Sequence, residues 1–83
     1  MTEQPPTFDI FLREWAAERI VALGHRTDPS DREFIVGRRA AELTSLARES
    51  AFYVPLVEAA QPYGGIVEYV REMYRSAEVR AGR

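Results

Sequence analysis

The sequence contains no cysteine, and His25 is its only histidine. Without cysteine the chain can form neither a disulfide framework nor a thiolate metal site, and a reducing compartment suits it best. His25 also stands outside the His-x-x-Glu and His-x-x-x-His spacings that metal sites use. We therefore expect no metal, no other cofactor, and a surface or helix-capping role for His25.

Long apolar runs are absent too, since no uncharged stretch approaches the ~20 apolar residues that a membrane span needs. Residues 1–6 lack the basic and then apolar order of a signal peptide. Together these absences predict a cytoplasmic protein that makes no use of a membrane.

Lysine and asparagine are missing as well, so all eleven basic residues are arginine. They face thirteen acidic residues, which leaves a net charge of −2, and no segment forms a basic arm. A nucleic-acid binder needs a positive stripe to displace counterions from the phosphates. The charge pattern therefore makes nucleic acid a poor candidate partner.

Length and composition predict one folded domain over residues 1–83, with residues 1–6 as a flexible lead-in. Hydrophobic residues make up 46% of the chain and charged residues 29%, which is ordinary for a globular protein. No segment alternates polar and apolar residues with the period of a strand. We therefore expect an all-α, four-helix bundle-like domain with a short third helix.

The first helix is predicted over residues 8–23, capped by Thr7 and ended by Gly24. Its richest apolar face contains Trp15, which we expect in the core. The opposite side carries a thinner apolar stripe, formed by Ile10, Ala17 and Val21. Such a second stripe indicates either a helix that is covered on two sides or a surface for self-association.

The second helix is predicted over residues 30–50, with a capping-box pattern that begins at Ser30. Asp28 and Pro29 offer an alternative start one turn earlier. The inward face is expected to contain Val36, Ala40, Leu43, Leu46 and Ala47. Phe34 lies on the opposite face, where an aromatic residue is unusual, and it is therefore a candidate partner-binding residue.

Pro55 disfavours an uninterrupted second helix, because proline removes a backbone donor and clashes with the preceding turn. We expect a break near residues 50–54, a short third helix over residues 55–61, a loop at residues 62–65, and a last helix over residues 66–80. The last helix should turn inward Ile66, Val70, Met73 and Ala77, with Val67 and Tyr74 on its flanks.

Residues 50–55 are the most unusual segment, because two aromatic residues and a valine precede a proline between two helices. In a structural interpretation, Phe52 and Val54 enter the core and Tyr53 covers its edge. In a functional interpretation, the segment is a rigid, partly exposed aromatic cluster of the kind that forms interface hot spots. The residue pattern leaves both interpretations open.

The order of motifs in the second half of the chain resembles one protein family. Tyr53, Val54 and Pro55 follow the second helix, and after a loop residues 65–67 (Gly-Ile-Val) open the last helix. This order resembles the immunity proteins of nuclease colicins and S-type pyocins, in which a Tyr-Tyr-Pro motif closes the third helix and Gly-Ile-Val opens the fourth. The resemblance implies a four-helix inhibitor that binds tightly beside the active site of a toxin and catalyses nothing itself.

The resemblance also assigns candidate binding residues. Tyr53 and Pro55 match the family motif and carry over as partner-binding residues, to which we add Phe52 and Phe34 because of their predicted exposure. The family's second helix is rich in acids that face a basic nuclease, whereas here four arginines balance four acidic residues over residues 30–50. The resemblance therefore implies a partner less basic than a DNase, or a specificity surface elsewhere on the chain.

Two other functions are weaker alternatives. The Ile10 stripe favours a homodimeric helical accessory or structural protein. Small and apolar residues between Leu43 and Ala60 follow roughly the pattern of a helix-turn-helix. However, residues 55–61 contain no arginine, lysine or asparagine to contact a base edge, and Glu58 would repel phosphate. No arrangement of residues indicates an enzyme or a small-molecule substrate.

Overall fold

A computed structural model describes residues 7–24 and 27–82. That part of the chain contains four α-helices and no strand, so the predicted all-α, four-helix fold is confirmed. The elements are α1 (Phe8–Arg19), α2 (Pro29–Glu49), α3 (Tyr53–Ala60), a 3₁₀ turn (Gln61–Tyr63) and α4 (Ile66–Ala81). The predictions for His25 and for the lead-in over residues 1–6 lie outside the described residues.

Helix α1 begins as predicted and ends earlier. The side chain of Thr7 accepts a hydrogen bond from the backbone N–H of Ile10 at 3.4 Å. The helix ends at Arg19, and Ile20 is already extended, with φ −94° and ψ 101°. The predicted end at Gly24 was therefore wrong, since the helix stops four residues before the predicted last residue, Leu23.

Helix α2 begins at the alternative start, not at Ser30. Asp28 is the N-cap, and its side chain accepts a hydrogen bond from the backbone N–H of Ser30 at 3.5 Å. Pro29 is the first helical residue, where a missing N–H costs nothing and the fixed φ suits the helix. Four of the five residues predicted to face inward are buried, and Leu46 is half-buried.

A Schellman motif ends α2. The backbone N–H of Phe52 donates to the carbonyl of Ala47 at 2.7 Å, and that of Ala51 donates to the carbonyl of Arg48 at 3.4 Å. Ala51 has φ 61°, a left-handed conformation that favours glycine. The turn reverses the chain within two residues and delivers Tyr53 as the first residue of α3.

We expect Ala51→Gly to raise the free energy of unfolding by about 0.5–1 kcal/mol, because glycine removes the clash of the Cβ atom in the left-handed region. Ala41→Gly is the matched control, since Ala41 is exposed in the middle of α2. There glycine should lower the stability by about 0.5–1 kcal/mol. Urea titrations of both variants measure the difference. Equal destabilisation by the two substitutions would contradict the left-handed turn.

Helix α3 starts before the proline instead of at it. Tyr53 is its first residue and Pro55 its third, within the first turn, where backbone N–H groups have no intrahelical partner. The predicted start at residue 55 was therefore wrong. The resemblance also placed this motif at the end of the third helix, whereas here it opens α3.

One buried cluster joins the four helices, formed by Trp15, Val36, Ala40, Leu43, Ala47, Leu56, Val70 and Tyr74. Tyr74 was predicted on a flank of α4, but it is only 3% exposed, while Met73 is half-buried. The two residues lie about 100° apart on the helix, so a modest rotation of α4 decides which of them faces α2. The observed rotation turns Met73 toward α1 and Tyr74 toward the centre.

Candidate functional site

Two carboxylates show how the neighbouring helices cover the flanks of α2. Glu42 accepts a hydrogen bond from the indole N–H of Trp15 at 3.0 Å, and its carboxylate lies 2.6 Å from Nε of Arg19, so this flank faces α1. On the opposite flank Glu33 accepts a hydrogen bond from Nε of Arg71 in α4 at 3.2 Å. With Leu43 turned into the core, one side of α2 is left uncovered by the residues that the structure describes.

The contacts of Arg71 stabilise the charged forms on the α4 flank. Hydrogen bonds to Glu68 and then to Glu33 raise the pKa of the Arg71 guanidinium. The hydrogen bond from Arg71 lowers the pKa of Glu68 below its ordinary value. These charges are therefore paired with one another within the fold.

The uncovered side of α2 forms a continuous exposed strip, spaced alternately four and three residues apart, so that its members share one face. We call it the α2 strip; it consists of Phe34, Arg38, Ala41, Ser45 and Arg48. Phe34 is 69% exposed, more than any other large hydrophobic side chain in the described residues. Its predicted exposure is confirmed, and full burial of such a ring by a partner would contribute about 1.5–3 kcal/mol.

The strip continues onto α3 through a stacked pair. The guanidinium carbon of Arg48 lies 4.7 Å from the centroid of the Tyr53 ring, a cation–π contact across the Schellman turn. Tyr53 is 36% exposed, and Val54 and Val57 beside it are exposed as well. These three residues form the α3 patch. The α2 strip and the α3 patch together are the α2–α3 surface.

Phe52 lies beneath this surface instead of on it. Its ring packs against those of Phe8 and Phe11, with centroid distances of 6.0 and 5.0 Å. The structural interpretation is thus correct for Phe52, which is half-buried. It was wrong for Val54, which is 63% exposed because α3 begins two residues earlier than predicted and turns this side chain outward. Pro55 is half-buried in the first turn of α3.

Two features were missed at the level of sequence. The Arg48–Tyr53 stack depends on a turn whose left-handed residue is an alanine, and alanine gives no signal of such a turn. A groove of about 370 Å³ also runs between α1 and α4. Its lining includes Ala17 of the second apolar stripe of α1 and the rings of Tyr63 and Tyr69, whose centroids lie 5.0 Å apart.

Partial burial, followed by the nearby Tyr63 and Asp9, raises the pKa of Tyr69 in this groove. Its hydroxyl therefore stays protonated through the physiological range and can serve as a hydrogen-bond donor. The groove is the second exposed apolar feature of the molecule, separate from the α2–α3 surface.

Neither a metal site nor a bilayer-crossing helix was found in the part of the chain that the structure describes. Within residues 7–24 and 27–82, no three histidine, cysteine or acidic side chains are grouped so that they could hold a metal ion. Over the same residues, no helix has both the length and the apolar content that crossing a membrane requires. Comparison with protein-family models, with curated proteins and with solved structures found no match to this chain.

Proposed function

We propose that this chain is a non-catalytic binding protein that neutralises a cognate toxin by tight association through the α2–α3 surface. The observation that carries the proposal is the uncovered side of α2, which bears Phe34 at one end and the Arg48–Tyr53 stack at the other. Tyrosine and arginine are enriched among interface hot spots, and aromatic residues in general are enriched at interfaces. The fold leaves aromatic residues and arginine exposed together along the uncovered side of α2.

The α2–α3 surface needs little reorganisation in order to bind. Tyr53 is held between the Schellman turn on one side and Pro55, whose φ is fixed by its ring, on the other. Phe52 anchors this junction in the aromatic cluster with Phe8 and Phe11. A side chain that is already held in place loses less conformational entropy on association, which increases affinity.

The immunity-type assignment draws support from the placement of its two determinants. The resemblance implies that the second helix and the tyrosine–proline motif both face the toxin. Here the outer side of α2 and Tyr53 belong to one surface, and Arg48 connects them. A partner that covers Tyr53 would therefore also reach along the α2 strip.

A growth-protection assay tests the proposal in cells that produce the toxin encoded beside the gene for this chain. We expect the wild-type chain to restore growth, and a Phe34→Ala, Tyr53→Ala double variant to lose protection while it remains folded. The control is Val79→Ala, since Val79 is exposed on α4, away from the surface. Protection that survives loss of both rings, or a gene neighbourhood without a toxin, would contradict the proposal.

Self-association is the second candidate function, and the exposed stripe of α1 favours it. Ile10 and Val21 are exposed, and Ala17 borders the groove between α1 and α4. A second copy of the chain could cover this stripe and make the protein a homodimeric accessory or structural component.

Sedimentation at micromolar concentration separates the two candidates. A toxin-neutralising chain should be a monomer, so we expect one species with the mass of a single chain, and Val21→Arg should leave that mass unchanged. A wild-type dimer that Val21→Arg converts into folded monomers would favour self-association instead. Circular dichroism of the variant confirms that it is folded.

A further inference from the structure

We infer that the partner of the α2–α3 surface is a protein that presents carboxylates between two apolar contact points. The inference rests on the proposed function, because it specifies the chemistry of the partner at the same surface. It follows from a difference between the arginines of α2, because some are paired with carboxylates of the fold and others are exposed without such a pair among the described residues.

Arginines on the flanks of α2 have acidic partners. Arg39 pairs with Glu42 at 3.2 Å, and Arg32 pairs with Glu78 of α4. Arg38 and Arg48, the two arginines of the α2 strip, have no carboxylate within ion-pair distance among the described residues. The strip itself contains no acidic residue, so its centre is cationic.

The spacing of the exposed side chains along α2 predicts where the partner's contacting groups lie. Arg38 and Arg48 are ten residues apart, or about 15 Å along the helix axis, and Phe34 is about 21 Å from Arg48. A complementary face would hold a cavity for the Phe34 ring, carboxylates opposite the two guanidinium groups, and an apolar area against Tyr53 and Val54. Stacking on Tyr53 leaves the in-plane N–H groups of Arg48 for a bidentate contact with a carboxylate.

Acidic residues at the margins favour a protein over a nucleic acid. Asp31 and Glu49 lie at the two ends of the strip along one edge, and Glu58 is exposed on α3. A phosphate backbone crossing the surface would meet these carboxylates and would find only two arginines, fewer than the several phosphate contacts typical of such binding. A protein can place two carboxylates over Arg38 and Arg48 and keep them away from the acidic residues at the margins.

The experiment first obtains the partner and then measures its charge preference. A photo-crosslinking amino acid at position 34 captures the protein that contacts the strip in cells, and mass spectrometry identifies it. The purified partner is then titrated against Arg38→Glu and Arg48→Glu. The matched controls are Arg13→Glu and Arg80→Glu, which change exposed arginines at the groove between α1 and α4.

We expect Arg38→Glu and Arg48→Glu each to slow association about tenfold or more, and each control variant to change it by less than about threefold. The wild-type association rate should fall as salt is added, and this dependence should weaken in the two strip variants. Because Arg48→Glu also removes the stack on Tyr53, Arg38→Glu is the decisive variant.

The outcomes separate this inference from the proposed function. If Phe34→Ala weakens binding but Arg38→Glu leaves it unchanged or strengthens it, the α2–α3 surface does bind the partner. The inference that the partner presents carboxylates to the strip is then wrong. If position 34 crosslinks to no protein, both this inference and the proposed function are contradicted. Saturable binding of a short single-stranded oligonucleotide that Arg38→Glu abolishes would replace the protein partner with a nucleic acid.

Discussion

Truncation of Trp15 to alanine is expected to lower the free energy of unfolding by about 3–5 kcal/mol. Trp15 is only 3% exposed and is the only residue of α1 in the buried cluster. The substitution removes both its ring and the hydrogen bond that its indole N–H donates to Glu42. A chain of this length has a total stability of roughly 4–12 kcal/mol, so a large share of it would be lost.

Denaturant titration followed by circular dichroism measures the effect of Trp15→Ala. Trp15→Phe keeps an aromatic ring but removes the donor to Glu42 and part of the ring volume. Its loss of stability is therefore an upper bound on the contribution of the hydrogen bond. Val79→Ala, at an exposed position on α4, should stay within about 0.5 kcal/mol of wild type. An unchanged midpoint for Trp15→Ala would show that α1 is not packed through this residue.

Tyr53→Ala is expected to weaken partner binding by at least about 2 kcal/mol, a loss of about thirtyfold in affinity. The same change should alter the free energy of unfolding by less than about 1 kcal/mol, because the ring is partly exposed and stacks on Arg48 at the surface. The large effect on binding and the small effect on stability distinguish an interface residue from a core residue.

Calorimetric titration with the purified partner that crosslinking identifies, together with a thermal melt, tests Tyr53→Ala. Tyr63→Ala is the matched control, because Tyr63 is also exposed but lies at the groove between α1 and α4. It should leave binding unchanged. If Tyr53→Ala unfolds the chain, the tyrosine is structural. If it changes neither binding nor stability, the segment that resembles the immunity-protein motif has no function here.

The periodicity of apolar residues was enough to predict the helices and most of their buried faces. Trp15 in α1, Leu43 in α2 and Val70 in α4 each belong to a set of apolar residues in their own helix. The spacing of each set places it on one side of that helix, whatever the neighbouring helices do. The exposure of Phe34 followed from the same rule, since it stands half a turn from Leu43 and Val36 around the helix. Patterns of this kind depend only on the helical repeat.

Tertiary packing decided what the helical repeat left open. The choice between Met73 and Tyr74 depends on a rotation of α4 that no single helix specifies. The exposure of Val54 depends on where α3 begins, and that start follows the left-handed alanine at the end of α2. Arg48 and Tyr53 meet only because this turn folds α3 back beside the end of α2. The sequence itself determined that aromatic residues lie near position 53, whereas their assembly with α2 into one surface required the packed chain, because contacts between helices depend on orientation as well as spacing.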